Sequence, residues 1–184
     1  MSIIADARQL MQQQTEKNQA PAWALTELAI KKGKALAKKH KVDQEIVLLA
    51  LYLAHLVFSN VPKDQIQKTH EKRSLKPAKR FLDKHHYPQD KQKIILNAIE
   101  SHHGKVPFQS KEAEVMINAE CFKFVMVKGC LIYLHELGQR GFNYKESVKL
   151  VFYKMNQKRK LLTLPDCIKE ADKNIKKIKQ IFAE

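Results

Sequence analysis

The sequence predicts an all-α domain, and three observations carry that prediction. Apolar residues recur at three and four positions along nearly the whole chain. No stretch alternates apolar and polar residues as a half-buried strand does. Only 5 Gly and 6 Pro are spread over 184 residues, which leaves long uninterrupted helical windows. The length suits one domain with a substantial core, and hydrophobic residues make up 44% of it. The expected architecture is a single bundle of about seven or eight helices.

Ile3 to Lys17 reads as a first helix, with Ile4, Ala7, Leu10 and Met11 on one face and glutamines on the other. Asn18 to Pro21 ends it, and Pro21 suits the first turn of the next helix, where a missing N–H forfeits no hydrogen bond. That second helix runs to about His40. Leu25, Leu28, Ala29, Leu36 and Ala37 form its inner face, and Lys31, Lys32, Lys34, Lys38 and Lys39 its outer face. Asp43 then reads as the N-cap of Gln44 to Asn60, QEIVLLALYLAHLVFSN. A helix apolar all round is enclosed on every side, so this one is expected at the centre of the domain. It is too short and too closely flanked by charge to span a bilayer. Its one imidazole is His55, near the C-terminal end. A buried histidine must hydrogen-bond, bind something or line a cavity.

A helix from roughly Lys63 is expected to bend at Pro77 and finish near His86. Tyr87-Pro88 opens another, which Gly104 stops just after Ser101-His102-His103. A loop containing Pro107 leads to a long apolar helix from Lys111 to about Leu137, holding Val115, Met116, Ala119, Phe122, Val125, Met126 and Leu131. Past Gly138 to Gly141, Asn143 can cap a helix through Val148, Val151, Phe152 and Met155. The last helix starts at Pro165-Asp166. Ile168, Ala171, Ile175, Ile178 and Phe182 form its seam, and Lys169, Lys173, Lys176, Lys177 and Lys179 its opposite face.

The formal net charge of +15 implies attraction to polyanions: nucleic acid, nucleotides or an anionic membrane face. If the two lysine-rich helices lie side by side, Lys31, Lys32, Lys34, Lys38, Lys39, Lys169, Lys173, Lys176 and Lys177 make a basic surface for phosphate groups. Among the aromatics only Phe108, Tyr144 and Tyr153 fall off the inner faces, which weakens a base-stacking reading. No helix-turn-helix, zinc finger or glycine-rich phosphate loop occurs. Cys121, Cys130 and Cys167 lack C-x-x-C spacing and lie in helices, as small hydrophobes of a reducing compartment do. MSIIADARQLMQQQ carries no secretion signal, so the cytoplasm is the expected location.

The histidines divide into two groups. His40, His85 and His86 adjoin lysines at helix ends and read as surface residues, and His135 sits in a last turn, where the dipole favours positive charge. His55, His70, His102 and His103 lie at or near the ends of three successive helices that can converge. Imidazoles gathered from several helices are how a helical bundle builds a metal or phosphate site.

At these segments the chain resembles the HD-domain superfamily of metal-dependent phosphohydrolases, over about Pro21 to Phe182. Pro21-Ala22-Trp23-Ala24-Leu25-Thr26 is similar to the family's P-x-W-x-H-T segment, and Tyr52-Leu53-Ala54-His55-Leu56 to its LLHD. His70-Glu71-Lys72-Arg73-Ser74-Leu75 resembles H-x-x-x-S-A, Ile99-Glu100-Ser101-His102-His103 resembles I-x-x-H, and Asn118-Ala119-Glu120-Cys121-Phe122-Lys123 resembles the closing DADxLD helix. The resemblance implies residues 1–20 as an N-terminal helix and residues 21–184 as an HD-like domain that includes the basic C-terminal helix.

The family holds a divalent metal through the first His, the HD pair and the first Asp of the closing helix. Those positions here read Leu25, His55, Leu56 and Asn118, so three of the four have lost the ligand type. Leucine offers no lone pair, and neutral Asn replaces a carboxylate poorly on a hard or borderline cation. Without a metal to acidify a bound water, the family's hydrolytic route lacks its nucleophile. The expectation is a degenerate HD-domain protein: a non-catalytic, cofactor-free binding module for a nucleotide, phosphorylated ligand, nucleic acid or protein partner. Its pocket candidates are His55, His70, Arg73, His102, His103 and Asn118, with Lys72, Glu100 and Glu120 nearby. The alternative is a divergent phosphohydrolase with zinc, manganese or iron relocated to His55, His70 and His102.

Overall fold

The computed structural model describes residues 2–18, 20–57 and 66–182, and the side chains of residues 66–71 lie outside that description. Among the described residues there are nine α-helices, one 3-10 turn and no strand. They are α1 (Ile3–Asn18), α2 (Trp23–His40), α3 (Gln44–Leu53), α4 (Ile66–Lys84), α5 (Gln89–Ser101), α6 (Lys111–Phe122), the 3-10 turn Lys123–Val125, α7 (Val127–Gln139), α8 (Tyr144–Lys160) and α9 (Pro165–Ile181). None of the described helices is long and apolar enough to cross a membrane.

The apolar stretch is central, as its composition requires. Asp43 caps α3 by accepting hydrogen bonds from the backbone of Glu45 and Ile46, and every residue from Ile46 to Leu56 is buried. α1, α2, α5 and α6 pack around it, and Ala7 and Met11 of α1 are fully buried. Gly33 lets α2 approach closely, since a Cβ there would stand 2.6 Å from Leu51 Cδ1.

Two helix boundaries differ from the sequence expectation. α3 stops at Leu53 instead of running to Asn60, so His55 and Leu56 sit in a turn; residues 58–60 lie outside the description. The physical reason is competition for the Val57 peptide. Its N–H donates to Ser74 Oγ at 3.3 Å and its carbonyl accepts from Arg73, so α4 draws the chain away from the helical ladder. The expected long helix from Lys111 to Leu137 is likewise two helices, broken at Lys123–Met126. Met126 is extended (φ −105°, ψ 141°), and a Cβ on Gly129 would lie 1.7 Å from the Lys123 carbonyl oxygen. Only glycine permits that approach.

The other elements follow the sequence closely. Asn143 and Glu146 form a capping box at the start of α8, and Pro165 opens α9. Along α9, Cys167, Ala171 and Ile178 are buried, with Ile168, Ile175 and Phe182 packed against the core. α4 runs through Pro77.

Candidate functional site

Leu25 and Leu56, which the sequence resemblance sets at two metal positions, are core residues, 1% and 4% exposed. Asn118 is fully buried and has all its hydrogen-bonding capacity in use. Its Nδ2 donates to the Glu114 carbonyl and to Thr163 Oγ1, each at 2.9 Å. Its Oδ1 accepts from the backbone of Thr163 and Leu164, each at 3.1 Å. Because Thr163 Oγ1 itself donates to Glu114 Oε1, it can only accept from residue 118, and a carboxylate has no proton to give. Asn118 therefore ties α6 to the start of α9. The donor set at these positions does not fit a divalent metal.

His55 sits in a different setting. Its Nε2–H donates to Glu120 Oε1 at 2.9 Å, and the Lys123 ammonium reaches the same oxygen at 2.6 Å. His102, at the end of α5, donates from Nδ1 to the Ile99 carbonyl. Its ring meets that of His55 edge-on at 5.3 Å and that of His103 at 4.2 Å. Lys158 of α8 donates to His103 Nδ1 at 3.3 Å. One turn earlier on α8, Lys154 places its ammonium 5.3 Å from the centre of the Phe124 ring, and Lys123 stands 5.2 Å from that same ring. The ends of α3, α5 and α6 and the inner face of α8 thus enclose a single polar cluster.

Burial sets its charge states. Desolvation, with help from Lys123 and Lys158, lowers the His55 pKa against the pull of Glu120. Desolvation, then His55 and Lys158, hold His102 well below the ordinary histidine value. Desolvation acts to raise the Glu120 carboxyl, but Lys123, His55 and His102 override it and keep Glu120 well below the ordinary range. Desolvation and the neighbouring Lys158 and Lys123 bring Lys154 down to about 7. Near neutrality His55 and His102 are neutral and Glu120 is ionised.

Of the sequence candidates, the structure brings together His55, His102 and His103, with Glu120. Asn118 serves the α9 junction, and Arg73 holds the Val57 carbonyl. Glu100 lines a surface groove between α4 and α5 with Lys76, Lys79 and Lys93. His70 lies outside the described side chains. Among the described residues, no three His, Cys, Asp or Glu side chains gather as a metal-holding group. Lys123, Lys154 and Lys158 were missed, although Lys154 and Lys158 fall on the same helical stripe as the buried Ser147, Val151 and Met155.

Two ion pairs connect the basic helices α2 and α9. Lys32 pairs with Glu170 and Lys39 with Asp166, both at 2.7 Å, linking α2 to α9. Lys31, Lys34, Lys38, Lys169, Lys173, Lys176 and Lys177 remain exposed, as are Phe108, Tyr144 and Tyr153.

The chain matches the structure of an HD-superfamily hydrolase from Bacillus thuringiensis with a TM-score of 0.69, covering 98% of this chain and 93% of that one at 15% identity. A Lactobacillus plantarum protein of known structure matches with a TM-score of 0.68, over 95% and 92% of the two chains at 13% identity. No family model and no curated protein matches the sequence. The fold is HD-domain-like and all-α.

Proposed function

We propose that this chain is a non-catalytic member of the HD fold that binds a phosphorylated ligand of the nucleotide class. The observation that carries the reading is the fate of the metal positions: Leu25 and Leu56 are built into the core, and Asn118 is committed to Glu114, Thr163 and Leu164. The family's metal would supply an activated water, and here three of its four holders offer no suitable donor. His55 is drawn instead into a buried pair with Glu120, whose second partner is the Lys123 ammonium. The Lys123 ammonium on that carboxylate would repel a metal cation brought to His55. The three free, buried cysteines suit the reducing cytoplasm that this reading assumes.

The test is metal content with activity. Protein purified without chelator should carry zinc, manganese and iron far below one equivalent, and should not hydrolyse phosphomonoesters or phosphodiesters when manganese is added. Stoichiometric metal that disappears in His55→Ala, together with turnover, would instead establish the relocated His-based site of a divergent phosphohydrolase.

A further inference from the structure

The molecule's largest electrostatic anomaly lies where α6, the 3-10 turn and α8 meet. Lys123 and Lys158 are each 1% exposed and Lys154 is 8% exposed. Lysine is almost never buried without a counter-charge. Among the described residues, the carboxylate facing this cluster is Glu120, and it is already shared by His55 and Lys123. Lys154 has an aromatic ring beside its side-chain nitrogen, and Lys158 has the His103 imidazole. Among the described residues, three lysines therefore meet one carboxylate. Apolar residues at positions 154 and 158 would complete the α8 stripe more favourably, so the fold keeps two surplus cations where they oppose folding.

Resting on the binding-module reading above, we infer that Lys123, Lys154, Lys158 and His103 form the seat of a dianionic phosphoryl group. Once an anion arrives and favours the charged form of Lys154, Lys154 and Lys158 together supply two positive charges beyond the Lys123–Glu120 pair, matching the two negative charges of a phosphate monoester. Lysines bind phosphate as point charges and need no planar fork, so three converging stems suit a tetrahedral anion. His103 accepts from Lys158 at Nδ1, which holds its ring beside the ammonium groups. His103 is half-buried and Lys154 keeps a small exposed edge, so one side of the cluster meets solvent. Every group facing Lys154 has a part. Lys123 and Lys158 repel its charge, Glu120 and Cys121 favour it, and an arriving dianion would favour it far more strongly.

Thermal unfolding tests the seat. Inorganic phosphate at about 10 mM should raise the melting temperature by several degrees relative to chloride at equal ionic strength, because a ligand of the native state stabilises it by mass action. Lys154→Met should melt higher than the wild type without phosphate, and should lose the phosphate-specific shift. Lys158→Met should lose that shift as well. Lys38→Met, on the exposed face of α2, should retain it and so measure any general salt effect. AMP and ribose 5-phosphate distinguish the source of the phosphoryl group: an added shift with AMP alone points to a nucleotide, and equal shifts point to the phosphoryl group itself, and either supports the seat. Equal wild-type shifts in phosphate and chloride, or a shift that persists in both Lys154→Met and Lys158→Met, would overturn it. Failure here in a metal-free, inactive protein leaves the binding-module reading standing, whereas stoichiometric metal lost with His55→Ala removes that reading itself.

Discussion

The lysines of α2 and α9 and the lysines around Phe124 contribute alike to the net charge of +15, yet they obey opposite physics. On the outer faces most of the ammonium groups stay in water, and Lys39 pairs with Asp166 across the helix boundary. There the hydrogen bond and charge of Asp166 raise the Lys39 pKa. Around Phe124, burial and two neighbouring lysines push Lys154 down to about 7. The outer set dissolves the protein and opposes nothing. The inner set is held against desolvation and mutual repulsion by the packing of α6 and α8, and that retained tension points to function. Net charge read as a single quantity conceals the difference.

The contrast is sharpest at Glu120. Glu120→Gln should destabilise the protein by on the order of 3–5 kcal/mol, because it leaves Lys123 buried without its counter-ion. Denaturant unfolding at pH 7 measures the loss. Asp166→Asn, which breaks an ion pair of similar length on the outside, should produce only a small change. Adding Lys154→Met to Glu120→Gln should restore part of the stability, since it relieves the repulsion that the lost carboxylate had offset. A loss as small as that of Asp166→Asn would mean the inner cluster is no more demanding than the surface.

The second consequence is a pH dependence with a definite sign. Lys154 has a pKa of about 7 in the native state against 10.5 for an ordinary lysine. Between those values the unfolded chain binds the extra proton, so stability rises with pH across the window. From pH 7 to pH 9 the gain from this lysine should be about 2 kcal/mol, and Lys154→Met should flatten the profile there. On the acid side, His102 is held neutral in the native state, while the unfolded histidine titrates near 6.5. Stability should therefore fall as the pH drops below about 6.5, in the wild type and in Lys154→Met alike. Denaturation midpoints over this range check both limbs.

Much of the fold was legible because its signals are local. The Asp43 cap, the Asn143 and Glu146 capping box, Pro165 and the α9 seam each depend on residues within a few positions of one another. What escaped depends on distant partners. The end of α3 is set by Ser74 and Arg73, 17 and 16 residues beyond Val57. The break after Phe122 follows from Gly129 meeting the Lys123 carbonyl, and the apolar character of both flanks hides it. At the site, the gathering of His55, His102 and His103 follows from their places at helix ends. The role of Asn118 could not be read, because its partner Thr163 is 45 residues away. Lys154 and Lys158 were readable in principle. Their helical phase puts them on the buried stripe, and only the habit of assigning lysine to the surface obscured it.

The smallest effect belongs to the outer set and closes the comparison. Lys39 and Asp166 approach to 2.7 Å, but the Lys39 side chain is 60% exposed, so water and salt screen the pair. Lys39→Met should shift the thermal midpoint slightly at low ionic strength and not measurably in about 0.5 M salt, where the Debye length is under about 5 Å. Lys154→Met should keep most of its stabilisation in the same salt, because ions screen a buried cluster far less than a surface pair. Unfolding of the two variants at both ionic strengths compares the sets directly. If the Lys154→Met gain vanished in salt as the Lys39→Met effect does, Lys154 would be solvated in the native protein, and the distinction between the two lysine populations would fail.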